Sequence, residues 1–205
     1  MALFKRKADI PEPVAVEETP EEVLVGPKDS DGQGPPKGYV DLGSLYVPPV
    51  PGMQVRAQFE ADGKTLHRIQ LILGTSGMRV FVAAAPRSGG VWPELREQLA
   101  ASVEKQGGTA EEVAGRYGTE LHAKLPVRLA NGEEGQTPVR FLGLEGPRWI
   151  VRVDIQGAAA TGDEAQEKLC HFVIDNLIVN RGNEPRVRLS LLPLTIPKET
   201  VQVDK

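Results

Sequence analysis

Gly146-Pro147-Arg148-Trp149-Ile150-Val151-Arg152-Val153-Asp154-Ile155 decides the fold. Trp149, Val151, Val153 and Ile155 alternate with Arg148, Arg152 and Asp154, the period of a strand with one buried face. Gly77-Met78-Arg79-Val80-Phe81-Val82 has the same design about 70 residues earlier. Each strand is followed by a Gly/Ala-rich crossover and an amphipathic helix, one opening at Pro93 and the other at Asp163. The pattern predicts an α+β fold of two similar strand-strand-strand-helix halves. They share one largely antiparallel sheet, with both long helices on one face, because neither half alone can build a secure core.

The first half reads as a meander: Gln54–Glu60, a turn at Asp62-Gly63, Thr65–Leu73, a turn at Gly74–Gly77, and Met78–Ala84. Its helix runs to about Gln106 with Leu95, Leu99 and Val103 as the buried stripe. Thr109-Ala110-Glu111-Glu112 has capping-box spacing and predicts a short helix ending at Gly115. The second half begins near Gly118. Leu121, Ala123, Leu125 and Val127 alternate with polar residues, Asn131-Gly132 marks a turn, and Val139 and Phe141 point inward from the next strand. The last helix offers Ala165, Leu169, Phe172, Val173 and Leu177 as its stripe, so Phe172 should be buried with Trp149.

Residues 1–37 read as a disordered, acidic, Pro-rich tail. They hold eight acids and five bases, with prolines at 11, 13, 20, 27, 35 and 36. Residues 38–197 form a single α+β domain and 198–205 a C-terminal tail. The net charge is −4, and most of it lies in the N-terminal tail, leaving the domain near neutral. This argues against binding nucleic acid over a broad surface but not through a local patch. No apolar run is long enough for a transmembrane helix, and the basic Met1–Lys7 stretch lacks the apolar region of a secretory signal. The lone Cys170 fits a reducing, cytoplasmic setting.

Chemical motifs are sparse. Gly74-Thr75-Ser76-Gly77 lacks the lysine and following helix of a phosphate loop, and no nucleophile elbow or paired-cysteine metal motif occurs. No metal and no cofactor are expected. Cys170, His67, His122 and His171 are the near-neutral groups an enzyme would draw on, and their spacing suggests no shared site, so the reading leans away from an enzyme. Two clusters remain. The segment Leu191, Leu192, Leu194 and Ile196, with Arg186 and Arg188 as a polar rim, either closes the core or docks a protein partner. Arg140, Arg148, Arg152 and Arg181 form a late arginine group able to grip an anion, with Arg148 and Arg152 on one outward strand face.

From Gly38 to Pro197 the chain resembles an uncharacterised actinobacterial family of the domain-of-unknown-function kind. The resemblance rests on Gly38-Tyr39-Val40-Asp41-Leu42-Gly43, Gly146-Pro147-Arg148-Trp149, Arg181-Gly182-Asn183-Glu184-Pro185 and Leu191-Leu192-Pro193-Leu194. It implies a small cytoplasmic protein of unassigned activity and carries over no active-site residue. The leading expectation is a noncatalytic binding module, adaptor-like or chaperone-like, with an unidentified protein partner. The alternatives are a nucleic-acid or nucleotide-binding protein using the late arginines, and an enzyme with an unrecognised site. Partner, ligand and oligomeric state are not legible.

Overall fold

The computed structural model describes residues 26–59, 66–128 and 132–196, apart from the His67 side chain. The turns expected at Asp62-Gly63 and Asn131, most of the N-terminal tail (1–25) and the C-terminal tail lie outside the described residues. In chain order the strands are β1 (Lys28–Asp29), β2 (Val40–Asp41), β3 (Leu45–Val47), β4 (Gln54–Phe59), β5 (Leu66–Leu73) and β6 (Ser76–Ala84). Then come α1 (Trp92–Lys105), β7 (Thr109–Gly115), β8 (Gly118–Arg128), β9 (Glu134–Gly146) and β10 (Trp149–Gly157). A 3₁₀ turn (Ala158–Thr161), α2 (Glu164–Asp175) and β11 (Ile178–Val179) follow.

Among the described residues, seven strands form one antiparallel sheet in the order β4-β5-β6-β10-β9-β8-β7. The two strands that open the sequence reading, β6 and β10, are its central neighbours, paired from Trp149↔Ala84 to Gly157↔Ser76. A smaller sheet, β1-β11-β3-β2, contributes Leu45, Val47 and Val179 to the larger core.

The helices lie on opposite faces of the main sheet, contrary to the expectation that both share one. Residue parity shows why. Leu142 stands opposite Val153, so both face α2, while Phe141 stands opposite Asp154 and faces the other way. Treating Phe141 and Val153 as one inward set merged two faces. Met78, Val80, Val151, Val153 and Ile155 pack with Cys170, Val173 and Ile174 of α2. Leu121, Ala123, Val139, Phe141 and Ile150 pack with Trp92, Val103, Leu95 and Leu99 of α1. The strand-strand-strand-helix order does recur. Yet the rotation relating antiparallel neighbours runs perpendicular to the sheet and preserves its faces, so the halves match in strands and differ in helices.

Local chemistry explains the helix ends. Asp163 caps α2 by accepting the Gln166 N–H at 3.0 Å. At α1 no neighbouring side chain caps the first turn. Instead Glu145, from the end of β9, accepts the N–H groups of Gly90, Val91 and Trp92 at 2.5–2.7 Å. Gly143 has no room for a side chain because the Trp92 ring lies against it. On α2 the buried stripe is Cys170, Val173 and Ile174, continued by Leu177 just beyond the helix. Phe172, two residues past Cys170 and so about 200° around the axis, is half exposed rather than packed with Trp149.

Two further expectations are corrected. Residues 109–115 are strand β7, paired along their whole length with β8 through the Arg116-Tyr117 turn. The polar residues that resembled a capping box are one side of a hairpin. Order also begins before residue 38. β1 pairs in parallel with β11, Lys28 N–H donates to Leu177 O and Ser30 N–H to Val179 O, and Asp29 accepts from the Trp149 indole at 2.8 Å. Here local acidity and proline content lost to pairing with a distant buried strand.

Candidate functional site

On the face away from α2, α1 packs on β7, β8 and β9. The β4-β5-β6-β10 half has no helix over it among the described residues. Antiparallel registry orders its side chains into rows: Arg56–Gln70–Arg79–Asp154, flanked by Gln58–Arg68 with Phe81–Arg152 on one side and Gln54–Ile72–Gly77–Gln156 on the other. Each of the four strands places one arginine on this face. Because successive residues alternate sides, the same strands that supply Val80, Val82, Val151 and Val153 to the core turn this polar set to the other face.

Asp154 organises the face. It is buried and accepts two bonds from Arg152, Nε to Oδ1 at 2.9 Å and Nη2 to Oδ2 at 3.2 Å. Arg79 Nε lies 3.9 Å from the same carboxylate but makes no hydrogen bond. Burial pushes the Asp154 pKa up, against the pull of Arg152, Arg79 and Arg68. Burial likewise lowers the Arg79 pKa, and the neighbouring Arg68 and Arg152 add to that effect while Asp154 opposes it. The Arg152 guanidinium sits over the Phe81 ring, 3.9 Å from its centroid, and Arg68 approaches to 5.7 Å. Arg68 Nε donates to Gln58, Gln58 to Gln70 at 3.3 Å, and Arg56 to Gln54 at 3.1 Å. Within these rows four guanidiniums face one carboxylate, on a chain whose net charge is −4.

The opposite face carries a different cluster. Arg140 donates to Glu120 at 2.9–3.0 Å and to Glu167 of α2, and His122 Nε2 lies 3.0 Å from Glu120. Burial works to lower the Arg140 pKa, but the two carboxylates outweigh it and hold it above the usual arginine value. The bond to Arg140 holds Glu167 below the usual carboxylate range. A shallow cavity of about 270 Å³ opens beside this cluster, lined by Thr109, Glu111, His122, Lys124, Pro138 and Arg140 among others. Its charges are mixed in sign and Arg140 is already spent on its carboxylates, so it offers no clear grip on a charged ligand.

The late arginines named from sequence therefore separate. Arg152 belongs to the open face and Arg140 to the buried ion cluster. Arg148 is not on the strand with Arg152 at all. It sits in the β9–β10 turn with φ +64°, a conformation that tight turns impose. Arg181 is buried and donates to the carbonyls of Gly182 and Glu184, with Arg148 and Arg186 near enough to reinforce the lowering of its pKa by burial. Arg186 pairs with Glu184 at 3.1 Å and Arg188 with Glu94. Leu192 and Leu194 are buried in the larger core, Ile196 is half-buried and Leu191 is exposed. The chain from Leu189 to Leu192 hydrogen-bonds to the end of β6 and Leu194 bridges to Gly43, which holds Leu192 and Leu194 inward.

Arg56, Arg68 and Arg79, which the sheet places on the face of Arg152, are not among the candidates drawn from the sequence. The signal was their outward parity, Arg56 opposite to Val55 and Arg79 to Val80. Cys170 is buried, and desolvation pushes its thiol up to about 11, far from a nucleophilic thiolate. His171 is held below its usual pKa by burial and packs edge-on against Tyr117. Among the described residues no cluster of three His, Cys, Asp or Glu side chains could hold a metal ion, and no helix is long and apolar enough to cross a membrane.

The fold and this site define an α+β domain with a half-covered antiparallel sheet whose open half is lined with arginine. The chain belongs to the family described as "Protein of unknown function (DUF3710)", whose model matches residues 26–203. That match takes in β1. No curated protein matches the chain. Among solved structures it is similar to the solution structure of cyanobacterial PsbP (CyanoP) from Synechocystis sp. PCC 6803. The identity is 10% and the TM-score 0.38, over 66% of this chain and 86% of that one.

Proposed function

We propose that this chain is a noncatalytic, cytoplasmic recognition module that binds an anionic ligand on the open β4-β5-β6-β10 face. The observation that carries this reading is that β4, β5, β6 and β10 place Arg56, Arg68, Arg79 and Arg152, one from each strand, on the same face, with Arg79 and Arg152 beside Asp154. Arginine's planar fork suits phosphate and carboxylate. The noncatalytic part of the reading is supported by the burial of Cys170 and by the engagement of Glu120 and Glu167 with Arg140. The cytoplasmic part rests on the lone thiol.

The test is isothermal titration of the full chain with inorganic polyphosphate. Arg56 is exposed and among the described residues bonds only to Gln54, so Arg56→Glu should leave the fold intact. We expect it to weaken binding about tenfold or more, the effect of losing one charge-assisted bond and adding repulsion. Absence of binding, or binding that Arg56→Glu leaves unchanged while Arg148→Glu abolishes it, would overturn the assignment of this face.

A further inference from the structure

Resting on the reading of this face as an anion site, we infer that its ligand is a single strand of nucleic acid. The strand lies across the sheet, with a base against Arg152 and phosphates on the outer arginines. Shape gives the first argument. The surface is an open sheet face rather than a pocket, and its four strands span about 14 Å at ordinary strand spacing. An extended ligand fills such a surface and an isolated phosphate does not.

The second argument is the alternation of chemistry. On β4 the row on this face runs Gln54, Arg56, Gln58, and on β5 it runs Arg68, Gln70, with Gln156 on β10; Gln54 and Arg56 are exposed and the others half-buried. A bare polyanion calls for cations alone. Carboxamides present a donor and an acceptor together, the complement of a base edge, and a bound strand would exchange the bonds that Gln54, Gln58 and Gln70 make to Arg56, Arg68 and each other for bonds to bases. The third is the Arg152–Phe81 pair. The bidentate bond to Asp154 holds the guanidinium over the ring, so its planar, delocalised group is fixed in place before any ligand arrives. Bases stack on such planes, and a sheet of this width carries two or three of them in other single-strand binders. A duplex hides its bases in the stack and offers this face only phosphates.

The experiment uses the full chain and fluorescence anisotropy with short labelled RNA and DNA single strands, the same DNA as a duplex, and inorganic polyphosphate as competitor. Single strands should bind at least about tenfold more tightly than the duplex. Their affinity should fall with a log–log salt slope of about −2 to −3, the value for three or four phosphate contacts. Arg152→Lys keeps the charge and loses the plane, so it should weaken single-strand binding about tenfold and change polyphosphate binding by about twofold or less. The wild-type comparison needs no variant and decides the matter even where Arg152→Lys fails to fold. Polyphosphate binding with no preference for single strands overturns this inference and leaves the anion-binding reading standing. No binding of any probe overturns both.

Discussion

Trp149→Ala should destabilise the protein by on the order of 3–5 kcal/mol, read as the shift in chemical-denaturation midpoint at constant slope. Trp149 opens β10, is fully buried, and packs in the larger core with β6 and β9 residues. Its ring lies against Gly146, where a side chain has no space, so neighbouring backbone cannot collapse easily into the cavity. Its indole N–H also ties β1 to the sheet through Asp29. Trp149→Phe separates the two roles. It retains most of the packing and loses the bond to a carboxylate, an expected cost of about 1.5–3 kcal/mol. A loss below about 1 kcal/mol for the alanine variant would contradict the placement of Trp149 in the core.

Arg140→Leu should cost a similar amount, about 3–5 kcal/mol, because it leaves Glu120 buried without its cation. The double variant Arg140→Leu/Glu120→Leu should recover much of that loss, since breaking a buried pair is worse than removing it. The acid limb gives an independent readout. Arg140 depresses the Glu167 pKa in the folded state. That contribution is therefore complete above the unfolded value of about 4.3 and is lost as pH falls through the depressed folded value. In Arg140→Leu the Glu167 part of this acid destabilisation should disappear, flattening the stability–pH curve below about pH 4. An unchanged acid limb would mean that Glu167 does not depend on Arg140.

What was legible in the sequence was the local part. The period of β6 and β10, the Asp163 cap and the Leu95–Leu99–Val103 stripe are each written within a dozen residues. Registry between strands is not written locally. Nothing near Phe141 says that it will stand opposite Asp154 rather than Val153, and that one offset sends α1 and α2 to opposite faces. The same holds for the site. The outward parity of Arg56, Arg79 and Arg152 was readable, but only the β6–β10 pairing brings Arg79 beside Asp154. Arg148 shows the converse error: four residues from Arg152 implied a shared face, until the turn removed it from the strand. The leucines near the C-terminus read equally well as core or as interface; Leu192, bonded to the end of β6, and Leu194, bridged to Gly43, are buried.

The most direct measurement is the arginine Nε–Hε NMR spectrum of the full chain, titrated with a short RNA single strand. Arg56, Arg68, Arg79 and Arg152 should shift together along one saturating curve. Arg140, held between Glu120 and Glu167, should stay in place. Shifts confined to Arg148, Arg181 and Arg186, or no shift at all at saturating strand, would contradict it.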